Sequence, residues 1–135
     1  MSRFRFLALA FAVGAAACGS SPTTPTTPTT PASVTDTFAG TLTQNGAASY
    51  TFTTAQSGQI TATISTLSPN STLIVGLALG TWSNNACQIV LSKDSATQAS
   101  FIVGQASQAS TFCVRIFDVG NVTDPATYEL QVNHF

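Results

Sequence analysis

From Ser33 to the C-terminus, apolar side chains recur at every second position, and mostly hydroxyl-bearing ones fill the slots between them. Phe38, Gly40 and Leu42 fall on one face, with Thr37, Ala39 and Thr41 on the other. Tyr50 and Phe52 alternate with Thr51 and Thr53, and Ile60, Ala62 and Ile64 with Thr61, Thr63 and Ser65. Phe112, Val114 and Ile116 alternate with Cys113, Arg115 and Phe117, and Tyr128, Leu130 and Val132 with Glu129, Gln131 and Asn133. A repeat of two is the spacing of a pleated strand with one buried and one wet face. No helical stripe runs through this region. Threonine suits the wet slots because a β-branched side chain fits a pleated surface. Leu73 to Leu79 is apolar on both faces, which predicts a strand in the middle of a sheet. Cys87 to Leu91 and Ala99 to Val103 read as two weaker strands.

Turn signals separate these runs: Gln44-Asn45-Gly46, Ser57-Gly58, Ser68-Pro69-Asn70, Ser83-Asn84-Asn85, and Gly120 to Pro125. Asn-Gly is a strong hairpin signal, and proline and glycine close the other strands. About eight short strands across residues 34–135 predict an all-β domain. The expected architecture is an antiparallel β-sandwich, with hairpins and Greek-key links joining two sheets.

Composition narrows the function. Only 7% of the residues are charged, against about 25% in an average soluble domain. The chain holds 22 Thr and 15 Ser, so hydroxyls must solvate its surface. Four Lys+Arg against five Asp+Glu leave a net charge of -1. Nucleic-acid binding requires many cations to neutralise phosphates, and this chain lacks them. One His, three Cys and five scattered carboxylates leave little material for catalysis, so no enzyme activity and no cofactor are expected. Zinc would call for several His or Cys ligands.

Ahead of the domain lie an address and a tether. Arg3 and Arg5 precede a run without polar side chains from Phe6 to Ala17, the n-region and h-region of a secretory signal peptide over residues 1–17. A transmembrane helix takes about 20 apolar residues, so this run is too short to span. It ends on Ala15-Ala16-Ala17-Cys18, which resembles the lipobox of bacterial lipoproteins. That resemblance implies lipidation of Cys18 after cleavage before it. Gly19, rather than Asp, follows the cysteine, which points to the outer membrane. The processed chain keeps Lys93 and Arg115 against five carboxylates, a net of -3 with His134 neutral. Anionic headgroups repel such a domain, so the expected membrane attachment runs through the N-terminal acyl chains alone. Residues 18–33 then form a disordered Thr/Pro tether with Thr-Thr-Pro repeated three times. Proline favours extended polyproline II over residues 20–32, and at about 3.1 Å per residue these 13 residues reach roughly 40 Å.

With Cys18 taken by lipid, Cys87 and Cys113 remain as an even pair in an oxidising compartment, and a disulfide is expected. Cys113 lies on the strand face opposite Phe112, Val114 and Ile116, so the bond should sit outside the main core or at a sheet edge.

The stretches Asp36-Thr-Phe-Ala-Gly-Thr-Leu-Thr, Ser49-Tyr-Thr-Phe and Gly58-Gln-Ile-Thr-Ala-Thr-Ile resemble the bacterial pre-peptidase C-terminal domain. Thr111-Phe-Cys-Val-Arg-Ile-Phe-Asp118 and Ala126-Thr-Tyr-Glu-Leu-Gln-Val132 are similar to its last two strands. The resemblance covers nearly all of residues 34–135 and implies a jelly-roll-like β-sandwich. Such domains are usually appendages of exported enzymes, serving in secretion, attachment or spacing. Some relatives bind calcium through acidic residues near the first strand; this chain has only Asp36 there.

Few residues remain as candidate sites. His134 is expected at the surface, closing the last strand. Asp118, Asn121 and Asp124 offer oxygens that suit calcium, or else the ordinary turn chemistry of a loop. Trp82, flanked by Gly80-Thr81 and Ser83-Asn84-Asn85, is expected in a loop, where it either stacks on a sugar ring or plugs the end of the sandwich. These features predict a non-catalytic cell-envelope lipoprotein whose β-sandwich binds, adheres or spaces. Its partner would be an extracellular glycan or an envelope protein. The alternatives are an accessory or inhibitor domain for a separate exported enzyme, and a glycan-binding module.

Overall fold

The computed structural model of the chain describes residue 19, residues 22–27 and residues 29–135; residues 1–17, where a signal peptide is expected, and Cys18 lie outside the described residues. The described tether residues up to Ser33 are exposed and form neither helix nor strand. Eight strands follow: β1 (Val34–Leu42), β2 (Ala47–Thr54), β3 (Gly58–Ser68), β4 (Val75–Ser83), β5 (Ala86–Ala96), β6 (Phe101–Ala106), β7 (Ser110–Phe117) and β8 (Ala126–His134). They build two four-stranded sheets, ordered β1-β8-β3-β6 (sheet A) and β2-β7-β4-β5 (sheet B). Every pairing is antiparallel. Successive strands change sheet at every step except β4 to β5, which is the strand order of a jelly roll. The all-β, antiparallel sandwich expected from the period-two pattern is the fold observed.

The alternation dictates which side chains meet between the sheets. Leu42, Ile60, Ala62, Ile64, Leu130 and Val132 of sheet A face Phe52, Val75, Leu77, Leu79, Val114 and Ile116 of sheet B, all buried. One parity change was not visible in the pattern. The register of β3 against β8 shifts between Ile64 and Thr66, so Ser65 is the extra residue of a bulge and Leu67 becomes the next core residue. The Ser65 hydroxyl lies in hydrogen-bond range of both the Glu129 carbonyl (3.1 Å) and the Glu129 carboxylate (2.7 Å).

Asn45-Gly46 does not close a hairpin. Asn45 takes the left-handed conformation (φ 55°), but the turn carries the chain from sheet A to sheet B. The reason lies in the flanking strands, whose apolar faces turn toward each other: Phe38 of β1 stacks on Tyr50 of β2, ring centroids 4.9 Å apart. The one hairpin between consecutive strands is β4–β5. Asn84 (φ 53°) and Asn85 (φ 57°) form its two-residue turn, as a type I′ geometry requires.

Strand β4 is interior and buried on both faces from Val75 to Gly80. Its inner face carries Val75, Leu77 and Leu79, and its outer face only Gly76, Ala78 and Gly80. The Phe117 ring occupies the space a side chain at Gly76 would need, and the Gln88 backbone occupies that at Gly80. The β4–β5 register also shifts between Leu79 and Gly80. The tip of the hairpin therefore folds over the outer face of sheet B at Gly80. This fold brings Cys87 of β5 to Cys113 of β7, past the intervening β4. Their Cα atoms lie 5.7 Å apart and the disulfide is formed, whereas strands two places apart in a flat sheet would be separated by roughly 9–10 Å. The bond lies outside the main core, as its face predicts, yet Cys113 is fully buried beneath the folded tip.

His134 is a correction. It was expected at the surface, but it is 3% exposed. It continues the inward parity of Leu130 and Val132, its Nε2 lies 3.0 Å from the Asp36 carboxylate, and its ring packs 5.1 Å from that of Phe52. Its chain position near the terminus gave no hint of this burial. The Ala55 amide donates to the Phe135 carbonyl at 2.8 Å and holds this end of β8 in place.

The disulfide closes a separation of 26 residues, and loop entropy assigns it about 3–4 kcal/mol. Reduction should lower the denaturant midpoint accordingly in chemical unfolding. Gly80→Ala should push the Gln88 backbone away and cost about 1–3 kcal/mol, with free thiols appearing on titration. An alanine variant that stays fully oxidised and as stable as the parent would refute the folded-tip account.

Candidate functional site

The sandwich has two lateral edges, and they are built differently. On one side β1 lies over β2, and this edge is sealed. Phe38 stacks on Tyr50, the Tyr50 hydroxyl donates to the Ala39 carbonyl (3.2 Å), and the Tyr50 and Tyr128 hydroxyls share a hydrogen bond of 2.7 Å. A side chain at Gly40 would run into both hydroxyls, so glycine there makes room for the pair. Burial and the Tyr50 hydroxyl hold the Tyr128 phenol well above its ordinary pKa.

On the other side β5 lies over β6, and this edge is open. Between the two strands runs a cleft of about 120 Å³, its walls including Leu79, Val90, Leu91, Gly104 and Phe112. Gly104 faces inward, and a Cβ there would sit 2.6 Å from the Leu79 side chain, so the glycine lets Leu79 pack close against β6 at the cleft wall. Apolar side chains on both strands stand in water: Val90 (68% exposed) and Leu91 at the cleft wall with Ile89 beside them, and Phe101 (56%) and Val103 on the outer face of β6. Five large exposed apolar side chains gathered on these two edge strands are more than the single apolar residues an ordinary surface scatters. The Ile89-Val90-Leu91 run was visible in sequence as a break in alternation. Its cause is the β5 bulge, where Leu79 pairs with Leu91 and Gly80 with Ile89, leaving Val90 unpaired.

The residues singled out from sequence are not brought together here. Trp82 lies in β4 rather than in a loop, opposite Cys87 on the folded tip, and is half-buried. Cys87 and Cys113 are joined, and Cys18 lies outside the described residues.

Asp118, Asn121 and Asp124 sit in the β7–β8 link, and both carboxylate oxygens of Asp118 are engaged by backbone N–H groups. Asp118 Oδ1 accepts the N–H groups of Gly120, Asn121 and Val122 at 2.8–3.0 Å, and its Oδ2 accepts that of Asn45 at 2.9 Å. The Asp118 amide in turn donates to the Gly46 carbonyl (2.9 Å). One carboxylate thus ties the β1–β2 arch to the β7–β8 arch. Asn121 donates to the Ile74 carbonyl (3.2 Å), and Asp124 Oδ2 accepts the Thr123 hydroxyl (3.3 Å). Asn121 and Asp124 border a second cleft of about 220 Å³ with Pro69, Asn70 and Leu73. Among the described residues no three His, Cys, Asp or Glu side chains converge as metal ligands. The turn-chemistry alternative describes Asp118 and Asn121.

The Asp36–His134 pair is the other titratable feature. Nε2 is committed to Asp36, and the buried Nδ1 has no hydrogen-bond partner. A serine or threonine hydroxyl bonded to the ring, as nucleophilic catalysis requires, is not among its hydrogen bonds.

No protein-family model matches the chain, and no curated protein is significantly similar to it.

Hydrogen bonds to the ionised carboxylate, that from Asn45 foremost, hold the Asp118 pKa below its ordinary 3.8. A depressed carboxylate stabilises the fold above its unfolded pKa and loses that contribution as pH falls through the native value. Asp118→Asn should therefore lower Tm at neutral pH, and the gap from the parent should narrow once pH drops below about 3.8. Thermal melts between pH 7 and pH 2 check this; a constant gap across the range would contradict it.

Proposed function

We infer that the chain is an exported, lipid-anchored, non-catalytic module that binds another envelope or extracellular component. The observation that carries this reading is the unequal treatment of the two lateral edges. The tether enters at β1, on the sealed side, and the open apolar edge of β5 and β6 lies at the opposite side of both sheets. A domain held by its N-terminus therefore turns its unsatisfied apolar surface away from the attachment point. Exposed apolar edges are otherwise a hazard that proteins blunt, and their retention marks an interaction surface.

Further support comes from what is already committed elsewhere. Both described cysteines are in the disulfide, the imidazole is buried against Asp36 and Phe52, and Asp118 is spent on backbone N–H groups. The lipobox-like Ala15-Ala16-Ala17-Cys18 and the Thr/Pro tether supply the anchor in this reading. The jelly-roll strand order agrees with the fold that the resemblance to pre-peptidase C-terminal domains implies, and that resemblance stays part of the proposal.

The anchor is the direct test. Cys18→Ser should abolish acylation and move the chain from the membrane fraction to a soluble or unprocessed form. Mass spectrometry of the parent should find an acylated cysteine at the mature N-terminus. An unmodified terminus at any other residue would overturn the lipoprotein reading.

A further inference from the structure

Resting on the reading of the chain as a binding module, we propose that β6 receives an uncharged, extended segment of a partner polypeptide, which adds antiparallel to it as a fifth strand of sheet A. The four edge strands are unequal in this respect. β1 and β2 close on each other through Phe38, Tyr50 and Tyr128. β5 is blunted by two register shifts against β4 and carries Lys93 and Asp94, devices that discourage pairing. β6 has neither. It pairs with β3 from Gly58↔Ala106 to Thr63↔Phe101 without a shift, and it contains no proline and no charge. An antiparallel strand leaves every second pair of backbone groups pointing away from its neighbour, so one edge of β6 is free to pair.

Side chains on both faces of an added strand would find partners. Those pointing outward would lie beside Phe101 and Val103, which are 56% and 42% exposed on the outer face of β6. Those pointing inward would meet the cleft lined by Leu79, Val90, Leu91 and Gly104. The geometry thus asks for apolar side chains at alternate positions in register with a pleated strand.

Charge and area decide the occupant. None of the residues that line the cleft is charged, so a charged side chain placed in it would lose its hydration without gaining a partner. A second copy of the chain is the competing occupant, and two features disfavour it. Continuing both sheets across a two-fold axis would bring β5 against β5, where the bulge and the protruding Val90 interrupt a ladder. A stable interface between globular copies buries about 800 Å² per partner, and five half-exposed side chains offer roughly half of that. A single strand asks for less area, because its backbone hydrogen bonds supply affinity.

The test uses the chain as isolated from its producing cells and an acetylated, amidated octapeptide alternating threonine with valine, labelled for fluorescence anisotropy. Saturable binding is expected, at least tenfold weaker for a control peptide with aspartate at the two central valine positions. Amide hydrogen exchange at residues 101–106 should slow at least tenfold in the complex. Phe101→Lys/Val103→Lys changes only exposed side chains, should keep the parent's melting temperature, and should weaken binding at least tenfold. The proposal is overturned if neither peptide binds, if both bind equally, if protection falls on another strand, or if the double variant binds unchanged. It is equally overturned if the free chain sediments as a dimer with residues 101–106 already protected, since a second copy would then be the occupant. A chain that carries an acylated Cys18 yet fails these tests loses the strand addition and keeps the anchor.

Discussion

From Val75 to Gly80 strand β4 has no wet face, and the fold is arranged around covering it. Its inner side chains are the centre of the core, as in any sandwich. Its outer face is the unusual part, because an outer face normally meets water in an antiparallel sheet. Here Gly76, Ala78 and Gly80 make that face low enough for other groups to lie on it: the Phe117 ring at one position and the Gln88 backbone at another. The folded hairpin tip follows from this, and so does the disulfide, because only the fold-over brings β5 within reach of β7 across the strand between them.

The two ends of the sandwich are held by single polar residues whose hydrogen bonds do the work of many contacts. At the loop end, Asp118 gathers four backbone N–H groups from two arches. Buried or half-buried amides in links need such partners, since no ladder supplies them. At the other end, Asp36 and His134 join the first strand to the last beneath the Phe52 ring. A chain with so few ionisable groups ties three of its five carboxylates, Asp36, Asp118 and Glu129, to internal partners, and hydroxyls dominate what is left at the surface.

That economy of charge bears on the open edge. Lys93 and Asp94 guard β5, while nothing comparable guards β6. A surface of threonine and serine is soluble without being selective, so recognition must come from shape and apolar contact. The cleft at Gly104 and the exposed Phe101 and Val103 are the places in the described structure where both are present.

Period-two alternation determined the strand content, the antiparallel class and most of the core, because inward parity is a local property of a pleated chain. It placed Phe52, Ile60, Val114 and Leu130 correctly, and it marked the β4 segment as interior from its lack of a polar face. Cysteine parity determined the disulfide. Tertiary structure decided what alternation cannot encode: which sheet each strand joins, so that Asn45-Gly46 became an arch between sheets; the bulges at Ser65 and Val90, which change parity by one; and the burial of His134, which depends on a partner 98 residues away. The open edge belongs to the same class. Phe101 and Val103 read as ordinary strand residues in sequence, and only the absence of a neighbouring strand beside β6 turns them into a surface.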